Sequence, residues 1–344
     1  MALQGRAVDV QTALARTIVG TSLTEAEMEA VMQDLMEGAA TPAQIGGWLI
    51  ALRMKGETVE EITGAVRALR THATRVTPRA SVIVDTCGTG GDRRGTFNIS
   101  TAAAFIAAGA GLTVAKHGNR AMSGTVGGAD VLEALGVNID VAPARVAACI
   151  DQVGIGFLFA QVFHPAMRHV AGPRRELGVR TIFNLLGPLS NPAGARHQVV
   201  GVFAPEWTEP LAHALGRLGA VHALVVHGDD GLDEISLVAP TQLSEWNDGV
   251  VHTYRIAPEE FGFRRCQHAD LEGGQRDAAA SIIRGILAGA TGPRADIAVL
   301  NAAAVLYVGG VAPSIAAGID RARESVRSGR ARQKLEQLIE FTNR

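Results

Sequence analysis

From Ser81 onward, short runs rich in β-branched residues alternate with Ala-rich stretches of helical periodicity. A strand whose partner arrives only after an intervening helix pairs with it in parallel, and the helices then cover the faces of the sheet. The pattern predicts strands at 81–85, 112–116, 137–141, 155–160, 198–204 and 222–227. Helices are expected between them at 99–109, 128–135, 143–153 and 208–218, with later helices at 277–289, 294–308, 314–328 and 331–341. The class is α/β, with a mainly parallel central sheet.

The first 75 or so residues read differently. Thr24 with Glu27, Thr41 with Gln44 and Thr58 with Glu61 have capping-box spacing, each ahead of a helix-period apolar set. Pro42 stands where a missing N–H costs nothing, and Gly38 and Gly56 stand where helices should stop. A small helical bundle is expected. One further helical stretch, 164–186, interrupts the strand–helix alternation and is expected to pack back on that bundle as a hinge. The division is therefore 1–75 with 164–186 as a helical domain and 76–163 with 187–344 as an α/β domain.

The chain has 344 residues, 47% of them hydrophobic, enough for a substantial core. It lacks a signal-like N-terminus and any apolar run of membrane-spanning length, so no membrane partner is expected and a cytoplasmic location is. Cys87, Cys149 and Cys266 are far apart, without metal-ligand spacing, and are expected to be reduced. A net charge of -2 gives no general attraction for nucleic acid. Local basic clusters point instead to a small phosphorylated ligand.

The segment from Val82 to Asp92 runs from a strand into the loop Gly88-Thr89-Gly90-Gly91-Asp92, and Asn98-Ile99-Ser100-Thr101 then opens an Ala-rich helix. Glycines let backbone approach an anion, and a helix N-terminus adds free N–H groups. The loop lacks the Gly-Lys-Ser/Thr of a P-loop and the third glycine of the dinucleotide fingerprint, which disfavours ATP and NAD. Lys116-His117-Gly118-Asn119-Arg120 lies at the carboxyl end of an expected strand, where Lys116 and Arg120 can grip phosphates. Asp233-Glu234 follows another strand and suits a hard cation such as Mg²⁺. His164-Pro165-Ala166-Met167-Arg168 and Arg174-Arg175 lie on the hinge stretch, where an arginine can pair with a carboxylate. Read singly, each has a plainer alternative: a structural glycine turn, a solvated loop, an acidic surface turn, a helix-surface ion pair.

Taken together and in this order, these motifs, with Arg180-Thr181-Ile182-Phe183-Asn184-Leu185-Leu186-Gly187-Pro188-Leu189, resemble the anthranilate phosphoribosyltransferase family over nearly the whole chain. The resemblance implies a nucleoside phosphorylase-like fold, a homodimer paired through the helical domains, and an active site between the domains. It implies that Gly88, Gly91, Asp92, Thr96, Asn98, Ile99, Ser100 and Thr101 surround phosphoribosyl pyrophosphate. Lys116 and the neighbouring positions His117, Gly118, Asn119, Arg120, Ala121, Met122, Ser123, Gly124 and Gly128 complete that site. Ser100, Asp233 and Glu234 would serve Mg²⁺, and Gly88, Asn119 and Arg174 would contact anthranilate. The stretch Ala121 to Gly128 departs from the family pattern, with fewer serines, and Gly124 loses a hydroxyl contact.

An arylamine is neutral near neutral pH and needs no strong base, so catalysis is expected to be positional and electrostatic. His117 is the one candidate general acid/base, against the plainer reading of an orienting group. Two other functions compete: a pyrimidine nucleoside phosphorylase, which uses the same architecture for ribose C1 chemistry, and a non-catalytic nucleic-acid binder on the same scaffold.

Overall fold

The computed structural model describes residues 8–92, 94–121 and 126–344. Helices α1 (Val10–Ile18), α2 (Glu25–Glu37), α3 (Pro42–Lys55) and α4 (Val59–His72) come first. All three capping boxes form: Thr24, Thr41 and Thr58 accept from the backbone of Glu27, Gln44 and Glu61, whose side chains return the bond. Gly38 ends α2 in the left-handed region, as a glycine can without strain.

Then follow β1 (Val84–Gly88), α5 (Ile99–Gly109), β2 (Val114–Gly118), α6 (Gly128–Ala134), α7 (Pro143–Val153), β3 (Ile155–Phe159), the single turn α8 (Ala160–Phe163), α9 (Arg168–Leu177) and α10 (Phe183–Leu189). The chain continues through β4 (His197–Gly201), α11 (Thr208–Arg217), β5 (His222–Gly228), β6 (Thr241–Asn247) and β7 (Val250–Ile256). It closes with α12 (Arg276–Leu287), α13 (Pro293–Val308), α14 (Ile315–Arg327) and α15 (Arg330–Asn343). The sheet order is β3-β2-β1-β4-β5-β6-β7. Pairing is parallel from β3 across to β5 and antiparallel for β6 and β7.

Alternation along the strands sends side chains to two cores. Val199, Leu224 and Val226 join α5, α13 and the C-terminal helices, whereas Val200, Val202, Ala223 and Val225 join the N-terminal bundle, α10 and α11. Every residue of α5 except Ser100 is buried, which explains its unbroken small apolar sequence. A Cβ on Gly109 would lie 2.5 Å from the Ala331 nitrogen, so α5 and α15 approach closely only because a glycine stands there.

Three expectations need correction. Residues 137–141 are not a strand: Val137, Ile139 and Val141 are buried, but β3 already forms that edge of the sheet, and the Asn138 backbone N–H donates to Thr342 Oγ1 at 3.2 Å. Alternation there reports burial without a pairing partner. The stretch 164–186 is not one helix; α9 ends at left-handed Gly178, and α10 begins only at Phe183. Val170, Phe183 and Leu186 do pack into the bundle core, as expected. Finally, the hairpin β6–β7 was not among the expected strands. Its turn carries Asp248 and Gly249 at φ 49° and 84°, the conformation that an Asp-Gly pair favours between strands. Among the described residues, no helix is long and apolar enough to cross a membrane.

Candidate active site

The strand order reverses between β1 and β4, and open α/β sheets form a crevice outside the carboxyl ends of such neighbours. Gly88 of β1 stands level with Gly201 of β4. A Cβ on Gly201 would lie 1.6 Å from the Asp233 carbonyl oxygen, and one on Gly88 would lie 2.6 Å from Asp233 Oδ2. These two glycines therefore let the acidic segment settle onto the strand ends. The Gly90 N–H donates to Asp233 Oδ2 at 2.9 Å, and the Ser100 N–H, in the first turn of α5, donates to Glu234 Oε1 at 3.1 Å. The acidic pair, more than a hundred residues further along the sequence, joins the glycine loop and the α5 N-terminus in one constellation.

Burial pushes both carboxyls above their usual range; Asp92 adds to this at Asp233, and Asp233 adds to it at Glu234, while Lys116 opposes it. Mutually repelling, half-buried carboxylates fit a cation. Among the described residues no group of three acidic, His or Cys side chains forms a metal cage.

Lys116 is buried beneath this cradle and donates to Thr86 O at 2.6 Å and Ser100 Oγ at 3.2 Å. Burial lowers its pKa and the Asp85 carboxylate opposes that. Two of its three N–H groups are used, so one remains for a ligand. Arg120 behaves otherwise than expected. Its guanidinium pairs with Asp130 at 3.0 Å and with Glu133, on α6, so it is not a free phosphate grip. The two acids next to the loop took the charge that the motif alone left open.

His117 is also placed differently from a general acid/base. Its Nδ1–H donates to Gly187 O at 3.1 Å, and its Nε2 is buried without a partner. Burial first, then the neighbouring His164 ring at 5.1 Å, lowers its pKa to about 3, and burial lowers His164 to about 4. Both rings are neutral at ordinary pH; Nε2 then bears no proton to give and is too weak a base to take one.

The remaining expected residues divide by what they present. Gly91 and Asp92 lie in the loop, and Thr96 bridges to Glu272, which fixes the loop's far end. Asn98 Nδ2 donates to Val126 O at 3.0 Å, leaving Asn98 Oδ1 buried and unpartnered, like the hydroxyl of Thr101. The Ile99 side chain is buried in the core, so only its backbone faces the cradle. Gly118 sits against Phe157, Asn119 Oδ1 accepts from Arg120 N at 2.8 Å, and Ala121 N donates to Asp130 Oδ2 at 3.1 Å. Gly128 opens α6, where an added Cβ would be in ordinary contact with Thr101 Oγ1 at 3.8 Å. Met122, Ser123 and Gly124 lie outside the described residues.

Arg174 projects from α9 over the Phe183 ring, 4.9 Å from its centroid, and has no carboxylate partner among the described residues. Burial lowers its pKa to about 10. A planar guanidinium can pair with a carboxylate through two parallel N–H bonds.

Sequence reasoning missed two supports. Asp85 is fully buried and accepts from His117 N at 3.1 Å and Asn191 Nδ2 at 2.8 Å, tying β1, β2 and the segment after α10 together. Arg180 stacks on Phe203, 4.2 Å from its centroid, and donates to Gly91 O, so it joins the segment between α9 and α10 to the loop. Both pairings cross long stretches of sequence, and no local motif announces them.

Residues 11–73 match the glycosyl transferase family helical bundle domain, and residues 80–332 match the glycosyl transferase family a/b domain. The chain is 57% identical over 337 residues to the anthranilate phosphoribosyltransferase of Thioalkalivibrio sulfidiphilus, covering 97% of this chain and 99% of that one. It is 55% identical to the enzyme of that name from Symbiobacterium thermophilum, covering 94% and 95%. Its fold matches the crystal structure of anthranilate phosphoribosyltransferase from Thermus thermophilus with a TM-score of 0.92 at 47% identity, covering 96% and 99%. The enzyme of Saccharomyces cerevisiae in complex with PRPP and Mg matches with a TM-score of 0.88 at 28% identity, covering 97% and 98%. Full-length identity, both domain matches and the shared fold agree: the chain belongs to the anthranilate phosphoribosyltransferase family.

Proposed function

We propose that the chain transfers the phosphoribosyl group of phosphoribosyl pyrophosphate to the amine of anthranilate, giving N-(5-phosphoribosyl)anthranilate and pyrophosphate, in tryptophan biosynthesis. The observation that carries this reading is the convergence of Asp233 and Glu234 on the glycine loop and the α5 N-terminus. A diphosphate-bearing sugar needs N–H donors, a cation and a water-poor crevice in one place.

Asp233, Glu234 and Ser100 would hold Mg²⁺, which supplies charge neutralisation for the departing pyrophosphate. Gly88, Gly91, Asp92, Thr96 and Asn98 through Thr101 line the phosphoribosyl side, with Lys116 contributing positive charge from beneath. The free acceptor Asn98 Oδ1 and the free hydroxyl of Thr101 are available to the ligand. The backbone from His117 to Ala121, with Gly128, completes that side, and the expected contribution of Met122, Ser123 and Gly124 lies outside the described residues. Arg174 takes the anthranilate carboxylate, and Gly88 and Asn119 flank the ring. Because the arylamine lone pair is already free, these residues position it at ribose C1 and no side chain need remove a proton first.

Residues 1–75 with 164–186 form the side carrying Arg174, and residues 76–163 with 187–344 the side carrying the diphosphate cradle. The active unit is a homodimer paired through the bundle, located in the cytoplasm. Ile18, Val19 and Met54 are 68%, 76% and 83% exposed, and Lys55, next to Met54, donates to Ser22 at 3.1 Å, which brings the ends of α1 and α3 together. Such apolar side chains gain cover from a second copy.

The test follows anthranilate fluorescence with and without phosphoribosyl pyrophosphate, at varied Mg²⁺. Loss of signal requiring both is expected. Uptake of inorganic phosphate with a pyrimidine nucleoside, and no anthranilate loss, would overturn the reading.

A further inference from the structure

α13 is apolar around almost its whole circumference, with Ile297 through Leu306 buried. One polar residue interrupts it. Asn301 is 1% exposed and lies a single turn after Ile297. A primary amide on such a helix destabilises it unless all its hydrogen-bonding capacity is matched.

That capacity is matched by two residues, Ile235 and Ile297. Asn301 Oδ1 accepts from the Ile235 N–H at 2.9 Å, and Asn301 Nδ2 donates to the Ile235 carbonyl at 2.9 Å. Its second N–H donates to Ile297 O, also at 2.9 Å. The donor and acceptor of Ile235 fix which end of the amide is which, because the reverse orientation would set two acceptors and two donors face to face. Asn301 thus pairs with Ile235 as a neighbouring strand would, at a point where the sheet supplies no strand.

Ile235 directly follows Glu234, and adjacent Cα atoms lie about 3.8 Å apart, so anchoring one sets the reach of the other. On the other side of the pair, Asp233 is held by contact with Gly201 and by the Gly90 N–H. Downstream, the Ser236 N–H donates to Thr241 Oγ1 at 3.0 Å. The acidic pair is suspended between the strand ends and α13, and Asn301 is its α13 attachment.

We infer that Asn301 is a positioning residue, which sets the geometry of the Asp233–Glu234 carboxylates for a divalent cation without touching substrate. This inference rests on the metal reading of that pair.

The test uses the full chain with Asn301→Leu, which keeps the branched heavy-atom shape but has no polar atoms, and Asn301→Ser, where water can replace the amide and folding is less at risk. Hydrogen–deuterium exchange on the ligand-free protein reads the clamp directly: the peptide spanning 232–237 should exchange about tenfold faster in either variant, with α5 and the N-terminal bundle unchanged. Turnover should then need about tenfold more Mg²⁺ for half-maximal rate, while the KM for anthranilate stays within about twofold. A folded Asn301→Ser protein with wild-type exchange at 232–237, or with faster exchange but a wild-type Mg²⁺ response, overturns the inference. Asp233→Asn with Glu234→Gln separates the two levels: if this variant keeps the wild-type Mg²⁺ response, the metal reading itself fails and the inference goes with it. If it shifts the response and the Asn301 variants do not, only the role of Asn301 is refuted.

Discussion

His117 and His164 make acid stability a direct probe of this active site. Both rings are buried and contact each other, with pKa values lowered from the ordinary 6.5 to about 3 and about 4. Lys116 disfavours a charged His117, whereas the Gly187 carbonyl favours one. The sign follows from the depressed values: the unfolded chain binds protons on both histidines below about pH 6.5, and the folded chain does not, so stability present above that pH is lost as pH falls. At about 1.4 kcal/mol per unit for each ring, moving from about pH 7.5 to about pH 5 should remove about 4 kcal/mol of unfolding free energy. Carboxyls with raised pKa, among them Glu57 and Asp296, act in the opposite direction. The measurement is therefore a difference. Urea unfolding of the wild type and of His117→Asn with His164→Asn, at both pH values, should show the wild type losing about 4 kcal/mol more than the variant. Equal losses would refute the claim that both rings stay neutral when folded.

Asp233→Asn with Glu234→Gln should leave the circular dichroism of the chain unchanged while turnover collapses, and wild-type turnover with an unchanged Mg²⁺ optimum would falsify the metal role. Arg174→Ala should raise the KM for anthranilate by about 10- to 100-fold, as expected for a lost charge-assisted contact, and a larger rise for phosphoribosyl pyrophosphate would place Arg174 elsewhere. Gly201→Ala forces the Asp233 carbonyl to move from the 1.6 Å clash and should cut activity more than Gly187→Ala, whose added methyl meets nothing; equal effects would refute the close-approach argument. Val19→Glu with Met54→Glu should convert a dimer to a monomer in sedimentation, and a wild-type chain already monomeric at micromolar concentration would sink the pairing through this face.

What could be read from the sequence was what local chemistry decides. Caps are contained in four consecutive residues, so α2, α3 and α4 begin where Thr24, Thr41 and Thr58 predict. Lys116 stood out in an arginine-rich chain, and the structure gives the reason. Its ammonium is buried beneath the glycine loop, on Thr86 O and Ser100 Oγ, where a compact point charge fits. Strands were legible as runs but not at their ends: β1 and β2 extend to Gly88 and Gly118, past the β-branched residues, because neighbouring strands supply the pairing that glycine lacks by propensity. Tertiary choices were illegible. Whether Arg120 meets a phosphate or Glu133, and whether 137–141 finds a strand partner, depends on elements that sequence spacing does not bring together.

The switch between β1 and β4 explains why the site can be assembled from such distant pieces. Parallel strands deliver all their carboxyl ends to one edge of the sheet, so the loop after β1, the backbone after β2 and the segment after β5 arrive side by side whatever their separation in sequence. The level pair Gly88 and Gly201 then removes the two side chains that would keep the third segment off the first. The segment between α9 and α10 enters through Arg180, which bonds the loop at Gly91 while stacking on Phe203 just beyond β4. Six residues earlier Arg174 extends from α9, whose core contacts belong to the helical bundle. The sheet edge thus carries the proposed diphosphate cradle, and a separately packed helix carries Arg174, the proposed carboxylate receptor. The link from α9 to α10, residues 178–182, contains no helix or strand, and through Arg180 it touches the glycine loop, so the helix and the sheet edge set its geometry jointly.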